Sequence, residues 1–344
     1  MNSSVPRLLS LGLLLCSMQL PAQPEVLPLL DTTQDGLGQP LHYPSGQAAR
    51  LSASVVILAP GESTGWHRHA VPVAGYLESG ELTVDYEHGE RRVFQAGAGI
   101  IEALQVPHRG FNGGSDPVRI VAFFAGEPGV AATEAVEPAP PADIVELQDY
   151  IPDLVVDLRY RGSNNFMGRP VAGYEEDVVL ISRAAAEALQ AVQLALREQG
   201  LGLKVFDAYR PQRAVDDFMR WAADPQDQLM KAQYYPKVDK SALIPDGYIA
   251  ERSGHSRAST VDLTLVRLAT GEELDMGSGY DFFDLVSWPS STEVTQEQQR
   301  NRMLLREAML AQGFVPLEQE WWHFTLRAEA HRDAYFDFPV RSLP

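Results

Sequence analysis

The sequence predicts two domains of different class: an all-β barrel or sandwich, then a mixed α and β domain. Three observations carry this reading. From about Gln23 to Glu127, short alternating apolar segments lie between closely spaced glycines. A stretch rich in Pro, Ala and Glu, without apolar periodicity, then interrupts the pattern. Beyond it, apolar stripes at helical spacing alternate with short strands. A chain of 344 residues is long enough for two cores.

The chain opens with the features of a secretory signal. Arg7 supplies a positive charge, Leu8 to Leu20 an apolar run, and Leu20-Pro21-Ala22 a cleavage site. The expected division is a signal over 1–22, a β domain over 23–127, a linker over 128–142 and the second domain over 143–344. The mature protein is then expected outside the cytoplasm, in the periplasm. Cys16 is the sole cysteine, so the processed chain would hold no disulfide and no thiol nucleophile. The apolar run is short for a bilayer span, and no later stretch replaces it, so no stable membrane insertion is expected after cleavage. A formal charge of −18 disfavours nucleic acid and anionic membranes as partners.

In the first domain the alternation predicts strands over Ser52–Leu58, Gly80–Tyr86, Gly99–Glu102 and Val118–Phe124. Trp66-His67-Arg68-His69 places two imidazoles on one strand face, and a third, His108, lies in Val106-Pro107-His108-Arg109-Gly110-Phe111-Asn112. Such a set can close on a metal. The arrangement resembles the cupin family over about residues 52–125. The first cupin motif normally adds a glutamate ligand, but Val73 occupies that place. The resemblance therefore implies a second divalent metal held by His67, His69 and His108 without a carboxylate. A barrel whose histidines are merely solvated or hydrogen-bonded is the competing reading. Ligand binding, covering the second domain's cleft and mediating a homodimer are all open to this domain.

In the second domain Ser182–Gln199 reads as a helix, with Ser182 as N-cap, Leu189, Val192 and Leu196 at helical spacing, and Gly200 as stop. Leu203–Tyr209 reads as a strand, and Pro211 opens a helix carrying Val215, Phe218, Met219 and Ala222. A third helix is expected over about Glu297–Gln312, ending at Gly313. Ser253–Leu265 places His255 in a glycine- and serine-rich loop and Asp262 on the following strand, opposite in face to Val261, Leu263 and Leu265. One imidazole and one carboxylate are part of a catalytic zinc set, which usually has three protein ligands. His323 follows Glu320 by three residues in Glu320-Trp-Trp-His323, so aiming both at one point requires a bend. Arg210, between strand and helix, is placed either to clamp an oxyanion or to pair with Asp217 at the surface.

Ser253-Gly-His255 with Asp262, Glu320-Trp-Trp-His323, Phe206-Asp-Ala-Tyr-Arg210-Pro-Gln-Arg, Asp157-Leu-Arg-Tyr160, and Leu274-Asp-Met-Gly with Asp281-Phe-Phe-Asp occur in one order. Together they resemble the VanX-type zinc D-alanyl-D-alanine dipeptidases over about residues 143–339. The resemblance implies the α+β fold shared by hedgehog-like and D,D-peptidase domains. It also implies one Zn²⁺ held by His255, Asp262 and His323, with Glu320 as base and Arg210 as oxyanion stabiliser. It further places Ser253 near the carboxylate, and Tyr160 and Asp281 near the ammonium, of a small D,D-dipeptide. Asp207, Asp275, Asp284 and His331 are left as structural, and Lys237, Asp239 and Lys240 as a solvated turn. Two other functions stay open: a D,D-carboxypeptidase trimming longer wall peptides, and a barrel-based binding or sensory protein with an inert second half.

Overall fold

The computed structural model describes residues 28–42 and 48–343. The expected signal, 1–22, lies outside the described residues. Strands β1 (Arg50–Leu58), β2 (His67–His69), β3 (Val73–Ser79), β4 (Glu81–Tyr86), β5 (Arg91–Gln95), β6 (Gly99–Ile101), β7 (His108–Phe111), β8 (Val118–Gly126) and β9 (Thr133–Ala135) build the first domain. They form two sheets, ordered β1-β8-β3-β6 and β5-β4-β7-β2-β9. Val73, Gly75 and Leu77 of β3 are buried while their neighbours are more exposed, the period-two pattern of a strand with one face on a core. Leu77, Leu82, Val84, Tyr86, Ile100, Val118 and Ile120 fill the space between the sheets.

The expected linker is only partly a linker. Thr133–Ala135 pairs antiparallel with the histidine-bearing β2, His67 opposite Ala135 and His69 opposite Thr133. All three β9 residues are exposed and their side-chain contacts are polar, Glu134 to Arg68 and Thr133 Oγ1 to His69 Nδ1, so no apolar pattern marked the strand.

The second domain comprises β10 (Ile144–Glu146), α1 (Leu147–Tyr150), β11 (Val155–Val156), β12 (Leu180–Ser182), α2 (Arg183–Arg197), β13 (Leu201–Asp207), α3 (Gln212–Ala223), α4 (Lys231–Tyr234), β14 (Thr260–Arg267), α5 (Gln296–Ala311), β15 (Phe314–Pro316) and β16 (His323–Leu326). Its main sheet has the order β11-β13-β14-β16-β15. β14 is central and buried on both faces except at its last residue. Leu189, Val192 and Leu196 form the buried stripe of α2. Ser182 stands at the N-cap position, but its hydroxyl bonds Ser259 Oγ (2.9 Å) and caps nothing. The third helix starts on a capping box in which Thr295 and Gln298 satisfy each other's backbone N–H groups.

The sheet register brings the chemistry together. Asp262 lies opposite His323 on one side and Asp207 on the other. An irregularity between Val205 and Asp207 re-aims the end of β13 toward the site. The two domains pack closely. Gly89, in the β4–β5 turn at φ +85°, approaches Ala334 so nearly that an added Cβ would lie 2.4 Å from the alanine Cβ.

Candidate active site

His255 sits in a short 3₁₀ turn, Gly254–Arg257, that precedes β14. Ser253 fixes the turn: its Oγ accepts from the His255 N–H at 3.2 Å. The turn closes on Ala258 at φ +58°, a left-handed conformation that is costly for alanine and held here by burial. His255 Nδ1 donates to the Ala208 carbonyl (2.6 Å), which leaves Nε2 with its lone pair facing the site. Nε2 lies 3.3 Å from His323 Nδ1 and 3.3 Å from Asp262 Oδ2. Asp262 Oδ1 lies 3.1 Å from His323 Nδ1, yet this buried oxygen makes no well-directed hydrogen bond. Each of the three side chains offers a donor atom within 4.8 Å of the others. Two imidazoles and a carboxylate gathered this closely, with one buried carboxylate oxygen left without a hydrogen bond, fit a three-ligand zinc site.

Glu320 lies in the loop before β16, so the bend expected between it and His323 is a loop rather than a bulge. Its Oε2 is 3.5 Å from His323 Nδ1. Arg210 does not pair with Asp217 at the surface. Its Nε donates to Asp207 (2.8 Å) and its Nη2 lies 3.5 Å from Asp262, while Asp217 is held by Arg169 and Arg220. Tyr160 Oη donates to Asp281 (2.9 Å), and Tyr280 Oη to Tyr160 Oη (3.0 Å). Asp281 has φ +57°, a conformation an aspartate tolerates better than most residues. All of the predicted C-terminal site residues (Ser253, His255, Asp262, His323, Glu320, Arg210, Tyr160 and Asp281) line one cavity of about 220 Å³.

The site concentrates carboxylates in a dry place, and their proton affinities diverge accordingly. Burial works against the Asp262 charge, but His255 and His323 overcome it and hold this carboxyl far below the usual range. Burial, then the charges of Asp262 and Asp281, pushes Glu320 well up. Burial and then Asp262 push Asp281 up to about 8, against the pull of Arg210. Burial lowers His323, which favours the neutral imidazole a metal needs.

Asp207, left as structural by the sequence, belongs to this site. It is fully buried, anchors Arg210, accepts from Tyr174 Oη (2.7 Å) and lies 3.6 Å from His255 Nδ1. Its place three residues before Arg210, at a strand end, was the available signal.

The barrel holds a second cluster, and here the expectation is corrected. The three histidines converge, but not without a carboxylate: Glu102, directly after β6, replaces the one missing at Val73. Glu102 Oε2 lies 2.5 Å from His69 Nε2 and 3.1 Å from His108 Nε2. The Nδ1 atoms of His67, His69 and His108 face the carbonyls of Gly65, Ala132 and Val106 at 2.9, 3.0 and 2.8 Å. Each ring is thereby oriented with Nε2 inward. This pattern fits a divalent metal with three imidazoles and one carboxylate. The surrounding cavity, about 420 Å³, has mainly apolar walls that include Val56, Leu82, Ile100, Ile120 and Phe124.

Residues 141–341 match the peptidase M15 family model described as D-Ala-D-Ala dipeptidase, and residues 54–124 match the cupin domain model. A D-alanyl-D-alanine dipeptidase of Streptomyces coelicolor is 42% identical over 198 residues, covering 58% of this chain and 98% of the relative. One from Enterococcus faecium is 44% identical over 54% of this chain and 92% of its own length. One from Escherichia coli is 35% identical over 54% and 84%. Among solved structures, Lactobacillus farciminis oxalate decarboxylase aligns with 25% of this chain and 26% of its own at 22% identity, with a TM-score of 0.23.

Proposed function

The chain belongs to the D-Ala-D-Ala dipeptidase family of M15 peptidases, and on that premise we propose that it hydrolyses D-alanyl-D-alanine to two D-alanines with one zinc ion. The observation that carries the substrate is the cavity. At about 220 Å³ it is smaller than the ~300–1,000 Å³ common for drug-sized ligands. It holds acid–base and oxyanion groups together with an acid–phenol pair, Asp281 and Tyr160.

His255, Asp262 and His323 would hold the zinc. Bound there, zinc supplies Lewis-acid activation of a water and of the scissile carbonyl. Glu320 takes the proton from the attacking water and returns it to the departing amine. The Arg210 guanidinium stays charged; although burial opposes this, the acids and phenols around it prevail. It meets the negative oxygen that develops during attack. Asp281 and Tyr160 receive the substrate ammonium, which would draw the proton off Asp281. Ser253 receives the carboxylate end. A longer chain would leave these buried groups unmatched.

The physiological reading is turnover of peptidoglycan-derived peptides outside the cytoplasm, following the secretory signal. The donor geometry of His67, His69, Glu102 and His108 favours a second, divalent metal in the barrel. A homodimer remains the proposed assembly for the barrel to support.

The test is D-alanine release from D-Ala-D-Ala beside L-Ala-L-Ala and an N-capped tripeptide, with chelator and with zinc restored. Chelator-sensitive cleavage of the free D,D-dipeptide alone supports the proposal. Cleavage of the capped tripeptide moves the function to a D,D-carboxypeptidase, and no cleavage with zinc restored removes it.

A further inference from the structure

We propose that the barrel reports the occupancy of its own metal centre to the peptidase site through a buried ion cluster at the domain junction. This rests on the reading of the barrel as a divalent-metal site.

The residues adjacent to two of the four barrel donors reach into the other domain. Trp66, beside His67, donates from Nε1 to Asp337 Oδ2 at 2.5 Å. Arg109 follows His108 on β7, so as the ring points inward the guanidinium points out. It meets Asp216 (2.8 Å), Asp337 (3.3 Å) and Asp85 (3.1 Å). Arg109, Asp216 and Asp337 are all buried.

On the far side every partner leads to the peptidase site. Asp337 Oδ1 accepts from the Arg213 backbone N–H (2.6 Å) and from its Nε (3.0 Å). The next residue, Phe338, stacks on Tyr209 and accepts from its Oη at 2.9 Å. The residues on both sides of Arg210 and Pro211 are thus held by the segment that the barrel grips. A second branch runs through Gln212, whose Nε2 reaches Asp216 (3.0 Å) and the Glu251 carbonyl (3.2 Å). Glu251 lies two residues before Ser253, between Ala250 and Arg252, which line the catalytic cavity.

The cluster has little freedom to absorb a displacement. Each carboxylate is shared by several fixed donors, and a packed, dry ion cluster shifts as a unit. His67 makes no bond to Glu102: its Nδ1 contacts Gly65 and Thr64. Loading the centre would draw the His67 ring inward and carry Trp66, the residue just before that short strand. The first turn of α3, and with it Arg210, takes up the change. The family's peptidase is complete without such a domain, since the Streptomyces relative is matched over 98% of its length by 58% of this chain. That leaves the barrel free to modulate rather than to catalyse.

The probe is Mn²⁺, added to full-length protein already carrying one zinc equivalent. Mn²⁺ is the weakest binder of the first-row divalent series and will not displace zinc, and its binding is visible by electron paramagnetic resonance. Amide hydrogen exchange over residues 212–216 is the first readout; kcat and KM for D-Ala-D-Ala are the second. Mn²⁺ is expected to slow exchange about threefold or more and to change kcat by a similar factor, with KM steady within about twofold. His67→Ala should abolish both responses. Trp66→Phe, which keeps the packing but removes the N–H donor, should still bind Mn²⁺ while losing at least about half of each response. The proposal is overturned if the wild-type protein binds no Mn²⁺, if bound Mn²⁺ leaves exchange or kcat unchanged, or if Trp66→Phe responds in full. If D-Ala-D-Ala is not cleaved at all but exchange responds as described, the coupling stands and the substrate reading falls.

Discussion

Glu320→Gln separates chemistry from architecture at this site. Glutamine keeps the shape of the side chain and removes the ability to take a proton. Glu320 is a buried residue on the cavity wall, and its Oε2 is 3.5 Å from His323 Nδ1. No other carboxylate can stand in for it. Asp262 is committed to the metal donors, Asp207 to Arg210, and Asp281 to the Tyr160 hydroxyl. A positioned general base contributes about 10²–10⁴-fold, and the lack of a substitute places the loss near the upper end. Expected is a fall of about 10³–10⁴ in kcat, or ~4–5.5 kcal/mol in the barrier. KM should stay within about threefold, because Glu320 acts on the reacting water rather than on the substrate's termini. The assay is D-alanine release under saturating substrate, with zinc measured on the same sample. Zinc content should be unchanged, since the donor set omits residue 320. A fully zinc-loaded Glu320→Gln protein retaining more than about a tenth of wild-type kcat would refute the assignment of the base.

Further outcomes follow from other groups. Asp281 is raised from an ordinary 3.8 to about 8, so the folded, metal-free chain keeps a proton that the unfolded chain releases. The stability of chelated protein should therefore fall as pH rises from about 4 to about 8, and Asp281→Asn should flatten that slope in urea unfolding at the two ends of the range. Asp207→Asn loosens Arg210 without touching substrate; kcat should fall about tenfold with KM nearly constant, and a rise in KM at constant kcat would contradict it. Glu102→Gln should weaken barrel metal binding by about tenfold or more, read as the loss of one metal equivalent after dialysis.

Much of the peptidase site was legible because its residues are local on regular elements. His255 and Asp262 share one turn and strand, and Glu320 and His323 one loop and strand, so spacing along the chain limits their separation in space. What escaped depended on pairing between strands. Asp207 meets Asp262 only through the β13–β14 register, which is irregular at that point. Glu102 reaches His69 and His108 from the end of a strand in the other sheet, and no position along β2 or β3 announces it. β9 was missed for a related reason: backbone pairing and polar side-chain contacts hold it, and its exposed Thr-Glu-Ala carries no apolar alternation. Ser182 shows the converse, a residue of the right type at the right place whose hydroxyl bonds Ser259, just before β14, instead of the helix end.

The junction between the domains is ionic, and that choice has consequences. Three guanidiniums, from Arg91, Arg109 and Arg213, face the carboxylates of Asp85, Asp216 and Asp337. Burial opposes the Arg109 charge, yet Asp337, Asp216 and Asp85 outweigh it and hold the proton more firmly than usual. Taking such groups out of water offsets much of their mutual attraction, so the cluster adds little net stability over an apolar contact of equal area. Its effect is on geometry. An apolar face can slide by part of a side chain at small cost, whereas Arg109 displaced from Asp216 leaves both charges buried and unmatched. Removing one partner of such a pair costs about 3–5 kcal/mol. Arg109→Met should therefore destabilise the protein by an amount in that range. Asp216→Leu combined with Arg109→Met should recover at least half of the loss in urea unfolding, because the unpaired charge is then gone. Strictly additive losses would mean that the two side chains do not act as a pair, and that the junction fixes the two domains by some other contact.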